Sequence, residues 1–410
     1  MTKADKEGQR KTPILRFKGF TDDWEQRELN EVTTRVLRKN KNLISKRPLT
    51  ISAQYGLIDQ QAFFNKQVAS SNLENYLLLE KGEFAYNKSY SDGFPYGTIK
   101  KLNLYGNGAV STLYIAFKAN ADINSDFLEN LFSSNKWHNE VYKIAAEGAR
   151  NHGLLNISPD DFFNIKITIS KDSQEQSFIS KFLRIFDNLL ALYERKLKLL
   201  SQIKKYFLDN LFAEKEYPNL RFKGFTGAWE QRKLGAITDT YSGGTPQVSV
   251  KGYYSNNEIP FIRSSDIHKD KTELYISSKG LKNSSAKLVS KGYILYALYG
   301  ATSGEVDISK IDGAINQAVL CINAHDDLNY FLMLFLSKNK DKIVRKYIQG
   351  GQGNLSASII KKIKVFTTSK LEETKISNLI KTLSDIITLY EDKQQHLTEI
   401  KNTLLNTMFI

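Results

Sequence analysis

The side chains of this chain that could do chemistry are polar forks and cations set beside glycines. Two clusters are densest: Arg150-Asn151-His152-Gly153 and Gln349-Gly350-Gly351-Gln352-Gly353. Each stands just before an Asn-x-Ser triplet, Asn156-Ile157-Ser158 and Asn354-Leu355-Ser356. Arg, Asn and Gln carry paired hydrogen-bonding atoms that match purine edges in a major groove. Glycine lets a backbone approach phosphate closely. A Gly-rich stretch also serves as a helix-stop turn, its polar neighbours acting as caps. Lys88, Tyr90, Arg263, Ser264 and Tyr299 fall at expected strand ends, and Ser91 and Gln317 join them as candidates. With Arg150, Asn151, His152, Gln349 and Gln352 they make up the candidate nucleic-acid contacts.

Catalytic patterns are missing from the sequence. There is no G-x-x-x-x-G-K-[ST] phosphate loop, and Gly243-Gly244-Thr245-Pro246 reads as a turn. There is no H-E-x-x-H and no G-x-S-x-G elbow. The histidines at 138, 152, 268, 325 and 396 lack metal-ligand spacing. Glu214-Lys215 reads as a solvated charge pair. These features favour a binding protein over an enzyme, with no catalytic residue and no metal.

The elements that must position these residues come in two copies. Leu15–Leu29 and Leu220–Leu234 agree at 12 of 15 positions and lie 205 residues apart. Leu192-Tyr193-Glu194-Arg195-Lys196 recurs as Leu389-Tyr390-Glu391-Asp392-Lys393. A repeat this long is a duplicated module, since solenoid units run roughly 20–50 residues. In each copy a β-leaning part precedes a long helix. Ile179, Leu183, Phe186, Leu190, Tyr193, Leu197 and Leu200 alternate spacings of four and three, and Ile203, Phe207 and Leu211 continue the stripe. Ile376, Ile380, Leu383, Ile387, Tyr390, Leu397, Ile400, Leu404 and Met408 repeat it, with Gln394 as the break. Each helix should span roughly 60 Å, at about 1.5 Å per residue. The two are expected to pack antiparallel.

The β-leaning parts share a skeleton. Lys81–Tyr86 matches Lys291–Tyr296, and Gly108-Ala109-Val110 matches Gly313-Ala314-Ile315. Helical stretches are expected near 125–142 and 329–347. Between these pegs the copies diverge, as two readers with different targets would. Lys plus Arg number 58 against 44 Asp plus Glu, giving a formal charge of +14 that suits a polyanion. The lone Cys321 sits in an apolar run and suggests core packing in a reducing compartment. No secretory segment and no membrane-length apolar run are seen, so a cytoplasmic protein is expected.

The chain resembles the specificity subunit of type I restriction-modification systems. The likeness rests on Phe17–Leu29 and its copy Phe222–Leu234, and on Gly243-Gly244-Thr245-Pro246 leading to Ile259–Arg263. It rests also on Gly350–Ser356 and the two helical regions. The first copy lacks the Gly-Gly-Thr-Pro turn and carries Gly153-Leu154-Leu155-Asn156 in place of the Gly-Gln stretch. The resemblance implies an α+β fold of two pseudo-two-fold-related β-rich recognition domains joined by an antiparallel coiled coil. It implies recognition domains at 13–170 and 215–368, helical spacers at 171–214 and 369–410, and a disordered tail at 1–12. It further implies double-stranded DNA, two methyltransferase subunits and two motor-nuclease subunits as partners. S-adenosylmethionine, ATP and Mg would sit on those partners and none on this chain. Tyr193, Lys196, Tyr390 and Lys393 are the expected partner contacts. The competing readings are a coiled-coil scaffold with non-specific DNA binding and a single-chain enzyme with an unfamiliar site.

Overall fold

The computed structural model describes residues 11–52, 55–64, 73–89, 93–146, 155–326, 328–348 and 354–410. The chain divides into two compact units, Met1–Glu194 with Asp392–Ile410, and Arg195–Glu391. Each unit takes half of each long helix.

In the first unit the opening motif forms a strand, Glu25–Glu28. It pairs antiparallel with Lys166–Ile169, the last strand before the first long helix, so the two ends of the β-rich part are stitched together. The central sheet runs in the order Thr33–Arg35, Ile115–Ala119, Phe84–Asn87, Thr98–Lys101, all antiparallel. Both of its faces are buried. Phe84, Tyr86 and Phe117 point into a core with Trp24, Phe127, Trp137 and Phe162. Ala85 and Ala116 point the other way, onto Leu49, Leu57, Leu77, Leu79 and Val110. That second layer is the ribbon Leu77–Glu80 with Asn107–Val110 and the hairpin Leu49–Ser52 with Gly56–Asp59.

The second unit repeats the frame. Its sheet runs Thr238–Ser242, Val319–Ala324, Ile294–Ala297, Val306–Ile308. Ile294, Tyr296, Leu320 and Ile322 face one core, and Leu295, Ala297, Val319 and Cys321 face another. Burial on both faces explains the continuous apolar run at Ala318–Ile322. Cys321 is fully buried, and burial pushes its thiol up to about 11, as packing requires. The outer sheet has five strands, ordered Tyr254–Ser255, Tyr275–Ile276, Ile259–Ile262, Gly313–Ile315, Lys287–Val289. Ile259–Ile262 runs parallel to Gly313–Ile315. The glycines of the Gly-Ala pegs are required by close approach: a Cβ on Gly313 would lie 2.7 Å from the Pro260 carbonyl, and one on Gly108 would lie 2.2 Å from Leu49.

The Asn-x-Ser pegs have a structural reason too. Ser158 and Ser356 cap short helices, Pro159–Phe163 and Ala357–Lys361, by accepting from Asp161 and Ile359 amides. Leu155 and Leu355 donate to the carbonyls of Lys88 and Leu298, which ties each peg to the end of a central strand.

The helices span Ser173–Leu211 and Lys370–Met408, each 39 residues. The expected seam positions are less exposed than their neighbours, from Ile179 and Leu183, fully covered, to Tyr193 and Leu200, half-covered. Within each unit the two half-helices run in opposite directions. In the first, Ile179 and Leu183 share a core with Leu405 and Met408, while Asp187 pairs with Lys401. In the second, Lys196 meets Tyr390 while Leu211 shares a core with Ile376 and Ile380. One seam position differs from the sequence reading. Ile400 is exposed, and Lys401 takes the inward place with a side chain 18% exposed. The strict alternation of four and three through Leu397, Lys401, Leu404 and Met408 accounts for it.

Candidate nucleic-acid interface

The near-identical opening motif does structural work. Arg16 donates to both carboxylate oxygens of Glu175, at 2.6 and 3.0 Å, and the Trp24 indole donates to the same group at 3.0 Å. In the second unit Arg221 grips Glu372 at 2.7 and 2.8 Å. Both glutamates are buried at the first turn of a long helix. One arginine fork thus bolts each β-rich part to its helix, which is why the Arg recurs. The copies differ at the tryptophan: the Trp229 indole N–H is buried without a partner.

The second unit gathers several candidate contacts at one sheet end. Arg263 follows the strand Ile259–Ile262, and Gln317 follows Gly313–Ile315, the strand parallel to it. Parallel neighbours end on the same side, so both residues leave the sheet together. The Arg263 amide and Nε donate to Asp266, at 3.2 and 3.1 Å. Asp266 is buried and also accepts from Lys269 at 3.0 Å. Burial pushes its carboxyl up, but Lys269 and Arg263 outweigh that and hold it below the usual carboxylate range. Arg263 is therefore aimed by its Nε, and its side chain stays 41% exposed. Ser264 begins the short 3-10 turn Ser264–Asp266 that builds this arrangement. Thr245 donates to the Gln317 side chain at 2.6 Å, so the Gly-Gly-Thr-Pro turn sits beside the same sheet end. A Cβ on Gly243 would lie 1.8 Å from the Ile315 carbonyl, which explains the glycine. Tyr299 is half-buried against the main core, and burial raises its hydroxyl pKa.

The first unit presents less of the expected set. Lys88 spends its ammonium on the Ile157 carbonyl at 3.0 Å, half-buried, as a tie between loop and peg. Tyr90, Ser91, Arg150, Asn151, His152, Gln349 and Gln352 lie outside the described residues. Of the expected partner contacts, Lys196 reaches the Tyr390 hydroxyl at 3.5 Å and lies 5.3 Å from its ring centroid, an intrachain pairing. Tyr193 is half-buried and Lys393 exposed. Among the described residues no His, Cys, Asp and Glu group could hold a metal ion. No helix of the described residues is long and apolar enough to cross a membrane.

A feature that the seam pattern hid is a second apolar row on the first helix. Phe178, Ile185, Leu192, Leu199 and Tyr206 recur every seven residues and are all exposed. The equivalent positions of the second helix are Lys375, Thr382, Leu389, His396 and Thr403, of which Leu389 alone is apolar and exposed.

Comparison with known proteins fits this geometry. Residues 227–399 match the family described as type I restriction modification DNA specificity domain. The chain is 23% identical over 280 residues to the putative type I restriction enzyme MjaX specificity subunit of Methanocaldococcus jannaschii, covering 65% of this chain and 63% of that one. It is 26% identical over 219 residues to the EcoR124I/EcoR124II specificity subunit of Escherichia coli, covering 50% and 51%. The chain thus spans less than two thirds of the length of either relative. Its fold is similar to that of a type I restriction-modification S subunit from M. genitalium, with a TM-score of 0.62, 14% identity, and 97% and 99% of the two chains covered. A chain from a structure on complex assembly and conformational transition of the type I R-M system matches with a TM-score of 0.55, 15% identity, and 96% and 99% coverage. Residues 227–399 thus match the type I restriction modification DNA specificity domain family, and the duplicated frame with its two helices has a fold similar to that of the S-subunit structures.

Proposed function

We propose that this chain is a non-catalytic subunit that reads a split DNA target for partner enzymes. The observation that carries the reading is one sheet frame built twice, with the same structural pegs and different polar residues at the strand ends. Each β-rich part, 13–170 and 215–368, reads one half-site. In the second, Arg263 reaches a guanine edge and Gln317 a neighbouring base or phosphate, helped by Ser264 and Tyr299. Gln349 and Gln352, and in the first part Tyr90, Ser91, Arg150, Asn151 and His152, belong to the same reading. The excess of cations gives sequence-independent affinity, and the forks give discrimination.

The helices space the readers and carry the partners. The exposed row Phe178–Tyr206 is a narrow apolar strip of the kind that a second protein covers. It docks methyltransferase subunits, which supply S-adenosylmethionine and methylate adenine N6. Tyr193, Lys196, Tyr390 and Lys393 border that platform. Motor-nuclease subunits then bring ATP and Mg for translocation and cleavage. Two copies of each partner match two readers. All of these act in the cytoplasm.

Selection of bound duplexes from a random DNA pool by the purified chain tests the reading. A motif of two short blocks separated by unread bases is expected. Salt-dependent binding with no enriched motif would instead mark a scaffold.

A further inference from the structure

A loop of the first unit stands apart from every motif of the sequence. From Arg35 to Ile58 the chain holds six cations and no carboxylate. Within this stretch Leu37, Leu43, Ile44 and Tyr55 face solvent, at 63%, 38%, 61% and 49% exposure. The stems of the loop are pinned to the ribbon beneath it. Leu78 donates to the Arg38 carbonyl and Ala109 to that of Arg47, both at 2.8 Å, while Lys39 and Pro48 bridge Leu77 and Ala109.

Asn40 is fully buried at the base of the loop. Its Nδ2 donates to the Ser45 carbonyl and its Oδ1 accepts from the Ser45 amide, each at 2.8 Å. This staple drives the chain between them through left-handed backbone, with φ of 59° at Asn42 and 51° at Leu43. Asparagine tolerates that region and leucine enters it uncommonly. Strained backbone persists where its surroundings over-determine it, and such places cluster at ligand clamps. The outcome is a rigid tip that holds Leu43 and Ile44 outward between Lys41 and Lys46. Arg38 pairs with Glu83 and Arg47 with Asp59, whereas Lys41 and Lys46 have no ion pair or hydrogen bond among the described residues. The loop follows the edge strand Thr33–Arg35, as the Gly243-Gly244-Thr245 turn follows Thr238–Ser242 in the second unit.

We propose that residues 41–46 form a DNA clamp of the first unit, with Lys41 and Lys46 on phosphates and Leu43 and Ile44 pressed into the minor groove. The inference rests on the DNA-reading function proposed above. Clustered cations, with Lys41 and Lys46 left without an acid partner among the described residues, are the footprint of a polyanion partner. Apolar side chains flanked by Lys and Arg are used as wedges at base steps, where they kink the duplex. The wedge gives this half-site a preference for easily unstacked steps.

The test uses the full-length chain and duplexes selected from a random pool. Lys41→Ala with Lys46→Ala should lower the slope of log K against log salt by roughly one per lysine. Leu43→Ser with Ile44→Ser should leave that slope unchanged, weaken binding roughly tenfold and erase base preference in one half-site alone. Both pairs are exposed, so an unchanged Tm accompanies either result. A motif, slope and affinity that survive both variants overturn the clamp and leave the DNA-reading function standing. A wild-type chain that enriches no motif overturns that function and the clamp with it. Leu43→Ser with Ile44→Ser abolishing binding to phosphatidylserine vesicles, with DNA binding intact, would make the loop a lipid contact and also overturn the clamp.

Discussion

Glu175 and Glu372 are each buried beneath an arginine, but the residue that follows is Gln176 in one unit and Glu373 in the other. Gln176 accepts from the Asn124 amide and donates to the Ser170 carbonyl, both at 2.9 Å. Glu373 is equally buried and accepts from the Thr368 amide at 2.8 Å. Burial first, then Asp326 and Glu372, pushes its carboxyl up to about 7 against help from Thr368 and Arg232. Folding therefore favours the protonated form. That contribution is complete below the unfolded pKa of 4.5 and is lost as pH rises through about 7. Glu373→Gln should stabilise the second unit by roughly 1–3 kcal/mol at pH 8 and little at pH 4. Urea melts at both pH values read this, and an equal effect at both would contradict it. Arg221→Ala strips the partner from a buried carboxylate and should destabilise the same unit by about 3–5 kcal/mol. Arg263→Ala removes one partner of the buried Asp266 but leaves Lys269 and the backbone amide, so it should lower the melt modestly and relax one half-site by roughly 1–3 kcal/mol in binding to variant duplexes. Uniform weakening across sequences would assign Arg263 to phosphate.

At the scale of elements, periodic features were legible in the sequence and staples were not. The helix seam showed because alternating spacings of four and three have one geometric solution. It slipped at Ile400, since an apolar side chain was preferred over the phase that places Lys401 inward. The opening motif was visible as a repeat, but its purpose was not. The Arg16–Glu175 and Arg221–Glu372 clasps join residues 159 and 151 positions apart, which no local pattern reveals. Lys88 looked like a free cation at a strand end, yet its ammonium closes onto Ile157. The loop around Leu43 escaped because its exposure depends on Asn40, whose burial only the folded ribbon creates. The row Phe178–Tyr206 was hidden by the stronger seam beside it. Leu192→Glu with Leu199→Glu changes only exposed positions, so the melt should hold within about 0.5 kcal/mol. Copurification of a methyltransferase subunit should be lost. Retained copurification would move the platform elsewhere.

At the scale of the molecule, each compact unit joins one β-rich frame to halves of both helices. On the function proposed above, a helix pair shared in this way would serve as a ruler for the target. One heptad inserted after Tyr193 lengthens the helix by roughly 10 Å. The unread spacer of the target should change while both half-site sequences stay as they were. An unchanged spacer would refute the ruler. If the chain reads DNA as proposed, its charge of +14 should make binding weaken steeply with salt whatever the sequence. The most direct measurement is single-molecule methylation mapping in cells that carry this chain and a methyltransferase partner. The account predicts a split motif with N6-methyladenine in both halves, lost when this chain is deleted. A motif that persists without the chain would contradict it.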